Sequence, residues 1–243
     1  MAERYLLRVM RILRPAVEQD IPIVVLEPSC WSVLRDEINE LFPKRHEAHE
    51  IMENTFLLGE FLQKHGDIER LPKFKGNVLM HAHCHHKAII KKAEHEQQLL
   101  EKMGADFKEL TSGCCGMAGS FGFEKDKYDI SVDVGEHVLL PAVRRANLSS
   151  VLLADGFSCR EQISQLSSRH ALHFAELLKL ALDSDGSRPG VLPEQQIVRE
   201  HEAAVKKSKV RSGIALGAIA GAAAGLTWAL RTRRNGSGNH RKR

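Results

Sequence analysis

The chain has 243 residues, 43% of them hydrophobic, enough to bury one sizeable α/β core or two small ones. Its formal charge of +4 is gathered at one end, where Lys206, Lys207, Lys209, Arg211, Arg231, Arg233, Arg234, Arg241, Lys242 and Arg243 crowd together behind a near-balanced body. Only 5% aromatic residues and no basic-aromatic interleaving argue against nucleic acid, and five cysteines with one adjacent pair argue against a secreted disulfide framework.

Tyr5, Leu6, Val9, Ile12, Leu13, Ala16 and Val17 recur at helical spacing, with Arg4, Arg8 and Arg11 on another face, which predicts a helix packed by one side. Glu3 and the arginines interrupt any continuous apolar stretch there, so a secretory signal is not expected. Ile21 to Leu26 is a short β-branched run stopped by Glu27-Pro28-Ser29-Cys30, and Trp31 to Leu41 reads as helix. Helix-like sequence follows from Glu47 to Lys64, and a polar stretch with Gly66, Pro72 and Gly76 places a boundary near residue 75.

Beyond it the same unit repeats. Strand Asn77 to His81 leads into Cys84 and a helix from Lys87 to Met103; strand Phe107 to Leu110 leads into Cys114-Cys115 and a helix from Lys127 to Ala146. Strand Val151 to Ala154 leads into Cys159 and a helix over Glu161 to Leu166. Alternating strands and helices predict an α/β fold with a parallel sheet. Val24 to Cys30 and Leu152 to Cys159 echo each other as apolar strand, short turn and Ser-Cys, which suggests a partial first copy ahead of a complete one.

Ligands of a parallel sheet sit beyond the carboxyl ends of its strands, where helix N-termini favour an anion such as a thiolate. Cys84, Cys114, Cys115 and Cys159 all fall at such corners, a quartet of soft donors suited to a cluster of iron and sulfide. Gly113, Gly116, Gly119 and Gly122 would let main-chain N–H groups approach the sulfurs. Cys30 alone reads as a core thiol. If Val78 to His85 is extended, His81, His83 and His85 share one face opposite Cys84, as a solvated edge, a zinc site or a support for the ligands. A zinc-stabilised interaction module is therefore the alternative reading.

At these residues the chain resembles a known family. His81-x-x-Cys84-His85, Gly113-Cys114-Cys115-Gly116-Met117-Ala118-Gly119 and Gly156-Phe157-Ser158-Cys159-Arg160-Glu161-Gln162-Ile163 are similar to the CCG cysteine-rich domain. That domain occurs in the cysteine-rich subunit of heterodisulfide reductase, in iron-sulfur subunits of glycolate oxidase and anaerobic glycerol-3-phosphate dehydrogenase, and in a lactate-utilisation protein. The likeness runs from Tyr5 to Leu182 and is strongest to the C-terminal iron-sulfur part of bacterial FAD-linked oxidases of D-lactate-dehydrogenase type. It implies a cluster, most simply [4Fe-4S], on Cys84, Cys114, Cys115 and Cys159, with His81 and His85 as the motif's flanking histidines. Electrons would pass from the FAD of a partner dehydrogenase subunit acting on a 2-hydroxy acid toward a quinone or another carrier.

Two departures stand beside the likeness. Gly156 replaces the first cysteine of a Cys-x-x-Cys that many members carry, which leaves a four-thiolate site. Cys30 lacks the partners that a full first copy would give it, and no flavin-binding segment is present, so the expectation is a subunit fed by a partner or the fragment of a split oxidoreductase.

The resulting organisation is a partial cysteine-rich repeat over 1–75, a complete one over 76–183, a linker and basic helix over 184–212, a Gly/Ala-rich hydrophobic helix over 213–230 and a basic disordered tail over 231–243. Gly213 to Leu230 is uncharged, and Gly213, Gly217, Gly221 and Gly225 recur every fourth residue, a seam suited to helix pairing. With anionic lipid as the tail's partner, the expected location is cytoplasmic, at the inner face of the cytoplasmic membrane.

Overall fold

The computed structural model describes residues 1–90, 94–185, 187, 189–210 and 212. The hydrophobic helix expected over 213–230 and the tail over 231–243 lie outside them. No helix among the described residues is long and apolar enough to cross a membrane.

Met1–Gln195 forms one compact unit and Gln196–Arg243 a second. In the first unit, α1 (Ala2–Val17) leads to β1 (Ile23–Val25), then α2 (Pro28–Ser32), whose helical turns continue through a π-helical stretch at Val33–Glu37 into α3 (Ile38–Leu41). The expected helix from Glu47 to Lys64 is in fact α4 (His46–Glu53), β2 (Thr55–Leu57) and α5 (Leu58–His65). The remainder of this unit comprises β3 (Asn77–Met80), α6 (Cys84–Ile90), α7 (Glu94–Met103), β4 (Asp106–Glu109), α8 (Tyr128–His137), α9 (Leu139–Arg145), β5 (Val151–Leu153), α10 (Phe157–Leu166), β6 (Ala171–Leu172) and α11 (Phe174–Asp183). In the second unit, residues 196–210 are helical and 199–210 are exposed.

Every strand pairing is parallel. β1 pairs with β2, and the larger sheet has the order β4-β3-β5-β6. Its inner strand β5 is buried at all three positions, whereas β4 carries Asp106, Lys108 and Glu109, charges that suit an edge. β1–β2 is built like β5–β6. Ile23 faces Thr55 as Leu152 faces Ala171, and Cys30 and Cys159 each stand seven residues beyond Ile23 and Leu152. The helix after each second strand starts alike: Glu60 accepts the Leu57 N–H at 3.2 Å and Glu176 the His173 N–H at 2.7 Å, satisfying a donor that a helix start would leave bare.

Apolar cores among the described residues support these layers. One gathers Leu6, Met10, Val17, Leu34, Ile38, Ala48 and Ile51 from α1 to α4. Another packs Leu110, Met117, Leu139, Val143, Leu152, Ala154, Ile163 and Ala171 around two cysteines, Cys115 and Cys159.

A candidate site built from four cysteines

The sheet order explains how distant cysteines meet. β3 lies between β4 and β5, with Met80 level with Glu109 on one side and Leu153 on the other, so the three chains leave the sheet at adjacent corners. Cys84 opens α6, Cys114 and Cys115 follow β4, and Cys159 lies in the first turn of α10. The thiols form a contact series: Cys84 with Cys114, Cys114 with Cys115, and Cys115 with Cys159, which also meets His81. Among the described residues, no three His, Cys, Asp or Glu side chains converge on a point where a single metal ion would sit. The thiols neighbour one another along the series and no three of them enclose one such centre.

Protons distribute along this series by donor and acceptor. Hydrogen bonds from Cys115 and Cys84, with the Gly116 N–H donating at 3.4 Å, hold the Cys114 thiol down to about 2. Cys159 is likewise lowered, first by Cys115 and also by His81, despite its burial. Cys84 is pushed up by its hydrogen bond to Cys114 and by burial, and Cys115 by its bonds to Cys114 and Cys159. Two acceptor sulfurs thus alternate with two donor thiols.

His81 is 3% exposed. Its Nδ1 lies 2.6 Å from Ser112 Oγ, Nε2 is buried without a hydrogen-bond partner, and the side chain neighbours Cys159. The Ser112 carbonyl also accepts from Lys87 Nζ at 2.7 Å, which brings a cation to the rim.

His85 does not share this position. β3 ends at Met80 and α6 begins at Cys84, so the alternation expected through His85 stops before it. The His85 ring is exposed and lies 3.5 Å from Ser32 Oγ, and its backbone N–H is what reaches Cys84. His83 is the second buried histidine near the sulfurs: its Nδ1 accepts the His85 N–H at 3.3 Å and its ring packs on Gly156. Burial lowers its pKa against the opposing pull of Cys159.

The glycines divide as well. At Gly116, φ is +97° and a Cβ would lie 2.0 Å from the Ser131 carbonyl oxygen, so only glycine fits. A Cβ on Gly113 would meet nothing within 4 Å, so the close approach expected there is not required. Cys30 is exposed and outside the thiol series, and burial together with Glu27 raises its pKa. Glu27, beside it, accepts the Ser29 N–H at 3.3 Å and the Phe157 N–H at 2.7 Å, which ties the first repeat to the start of α10.

Sequence reading missed Lys87 and a buried acid. Glu96, 3% exposed, faces His86 with Oε2 3.8 Å from Nε2, in a small cavity also lined by His81, His83 and Asp155. Burial raises Glu96 to about 8 and lowers His86 to about 4, so both are neutral near pH 6. Glu96 falls on the inward side of α7 with Leu99, Leu100 and Met103, and that mismatch was the available signal.

Known proteins resemble this chain in part. Over 167 residues it is 24% identical to a D-2-hydroxyglutarate dehydrogenase of Pseudomonas putida, covering 68% of this chain and 16% of that protein. It is 26% identical over 167 residues to one subunit of the anaerobic glycerol-3-phosphate dehydrogenase of Escherichia coli, covering 67% of this chain and 41% of that subunit. An Escherichia coli D-2-hydroxyglutarate dehydrogenase matches at 26% over 161 residues, 65% of this chain and 15% of that protein. The matched region is thus a minor part of each relative. No protein-family model matches the chain, so the cysteine-rich domain expected from the motifs rests on the motifs themselves. The chain is related to dehydrogenases, and this sets it among oxidoreductase-related proteins.

Proposed function

We propose that this chain binds one iron-sulfur cluster through Cys84, Cys114, Cys115 and Cys159 and serves as an electron-transfer component of a flavin-linked 2-hydroxy-acid dehydrogenase. The observation that carries this reading is the unbroken contact series of four thiols drawn from three corners of one sheet. The donor set is chemically suited to the group: four soft sulfurs, two of them with lowered pKa values, and a buried histidine beside one of them. The similarity to two kinds of dehydrogenase supports the redox context.

When bound, a cluster of this kind supplies one-electron transfer without proton chemistry of its own. The protein's part is to hold and tune. Ser112 fixes the His81 ring beside Cys159, and the Gly116 N–H donates to the Cys114 sulfur at 3.4 Å. Hydrogen-bond donors to the sulfurs would draw charge from them and favour a more negative state of a bound cluster. Apolar neighbours of Cys115 and Cys159 exclude water from the inner pair. Electrons would arrive from the FAD of a partner subunit and leave to a quinone or another carrier.

Anaerobic purification with iron and acid-labile sulfide analysis tests the reading. About four iron atoms per chain and a brown colour are expected. Iron below about 0.5 per chain after reconstitution, or stoichiometric zinc in a colourless protein, overturns it.

A further inference from the structure

Helix α1 buries one apolar stripe and leaves a second in water. Leu6, Met10 and Val17 pack with Ala48 and Ile51 of α4. Tyr5, Val9 and Ile12, at i, i+4 and i+7, stay 58%, 38% and 67% exposed. The helix expected to pack by one side therefore has an apolar face wider than its partner covers. Alongside the exposed stripe run Arg4, Arg8 and Arg11, each one residue earlier and all exposed. Arg8 and Arg11 make no ion pair among the described residues, and the Arg4 guanidinium stands 6.0 Å from the Tyr5 ring centroid. Arg14, by contrast, points inward to Glu47 of α4 at 2.6 Å. Against four arginines the helix carries one carboxylate, Glu3.

We propose that this face of α1 rests on an anionic lipid bilayer, with Tyr5, Val9 and Ile12 at the headgroup–acyl boundary and Arg4, Arg8 and Arg11 on lipid phosphates. A lone exposed apolar side chain is ordinary, but a continuous stripe beside a parallel row of guanidiniums matches the two layers of a membrane interface. The row spans about 10 Å along the axis at 1.5 Å per residue, so all three cations reach one plane of headgroups. A protein groove would use the apolar anchors and leave those cations without a role, and charge complementarity therefore selects the anionic surface. This surface uses no residue of the cysteine site.

The test uses the full chain with Ile12→Trp, and Tyr5→Trp as a second probe, each read as a difference from the wild-type fluorescence of Trp31 and Trp228. Vesicles of phosphatidylcholine with 30% phosphatidylglycerol carry brominated acyl chains. The introduced indole is expected to shift to the blue and to be quenched. Adding Arg4→Gln, Arg8→Gln and Arg11→Gln should lower partitioning of that helix by about fivefold per arginine. An unquenched indole on vesicles that the protein nevertheless binds would assign binding to the tail and overturn the proposal. Equal quenching on pure phosphatidylcholine overturns the anionic preference. Concentration-dependent dimerisation with the indole buried in the absence of lipid would make the occupant a second copy.

Discussion

The imidazole of His83 stands where a side chain at position 156 would have to go: a Cβ built on Gly156 would lie 2.1 Å from its Cδ2. His83 immediately precedes Cys84, and Gly156 is the N-cap of the helix whose first turn carries Cys159. The pair is a steric latch between two cysteine corners. Gly156→Ala is expected to cost about 1–3 kcal/mol by overpacking and to lower the iron retained after anaerobic reconstitution. Combining it with His83→Ala should recover much of both, as thermal melts and iron analysis of the three variants would show. An additive double variant would mean that the two residues do not meet.

Gly116 and Gly113 flank the same cysteine pair and should respond oppositely. Gly116→Ala puts a Cβ against the Ser131 carbonyl at a left-handed φ, and a loss of about 2–4 kcal/mol is expected in urea denaturation. Gly113→Ala enters open space and should stay within about 0.5 kcal/mol of wild type.

Cys114 is the middle acceptor of the thiol series, whereas Cys30 lies outside it. Cys114→Ser should abolish the visible chromophore of the reconstituted protein, and Cys30→Ser should leave its absorbance per chain unchanged. Equal spectra for the two variants would remove Cys114 from the ligand set.

Stability should depend on pH through Glu96. The unfolded chain ionises this carboxyl near its ordinary 4.5 and the folded chain only near 8, so rising pH favours unfolding between those values. His86, ordinary value 6.5 and near 4 when folded, favours unfolding as pH falls through that lower window, so the two slopes oppose each other up to about pH 6.5. Above it, of these two groups only Glu96 still contributes a slope. Glu96→Gln is therefore expected to gain up to about 1.4 kcal/mol per pH unit over wild type from pH 6.5 to 8. Denaturant midpoints measured across that range check it, and parallel curves would place the Glu96 pKa near its ordinary value.

β1, β3 and β5 were readable because each is a largely apolar run stopped by polar or small residues, β4 fitted the repeat of strand and cysteine despite its charges, and parallel pairing followed from the helices between them. β2 and β6 were not. Thr55-Phe56-Leu57 and Ala171-Leu172 are too short to show a two-residue period; the first falls inside a helix-like run and the second is two residues long, and only pairing with β1 and β5 makes them strands. The four thiols were legible from position alone. The histidines were not, because whether a row of alternate residues keeps one face depends on where the strand ends, and here it ends at Met80, before His81. Contact between His83 and Gly156 joins residues of two different corners, which no local pattern announces.

Glu27 belongs to the first repeat yet holds the amide that opens the helix of Cys159, and the neighbouring Leu26 carbonyl accepts from His173 Nε2 at 2.9 Å. A polypeptide trimmed to begin near residue 76 would therefore expose a bare N–H at the threshold of that helix and orphan a histidine next to Asp155. Residues 1–75 thus supply the bonding partners of α10 and of His173, and excising them as dispensable would loosen the very helix that carries Cys159.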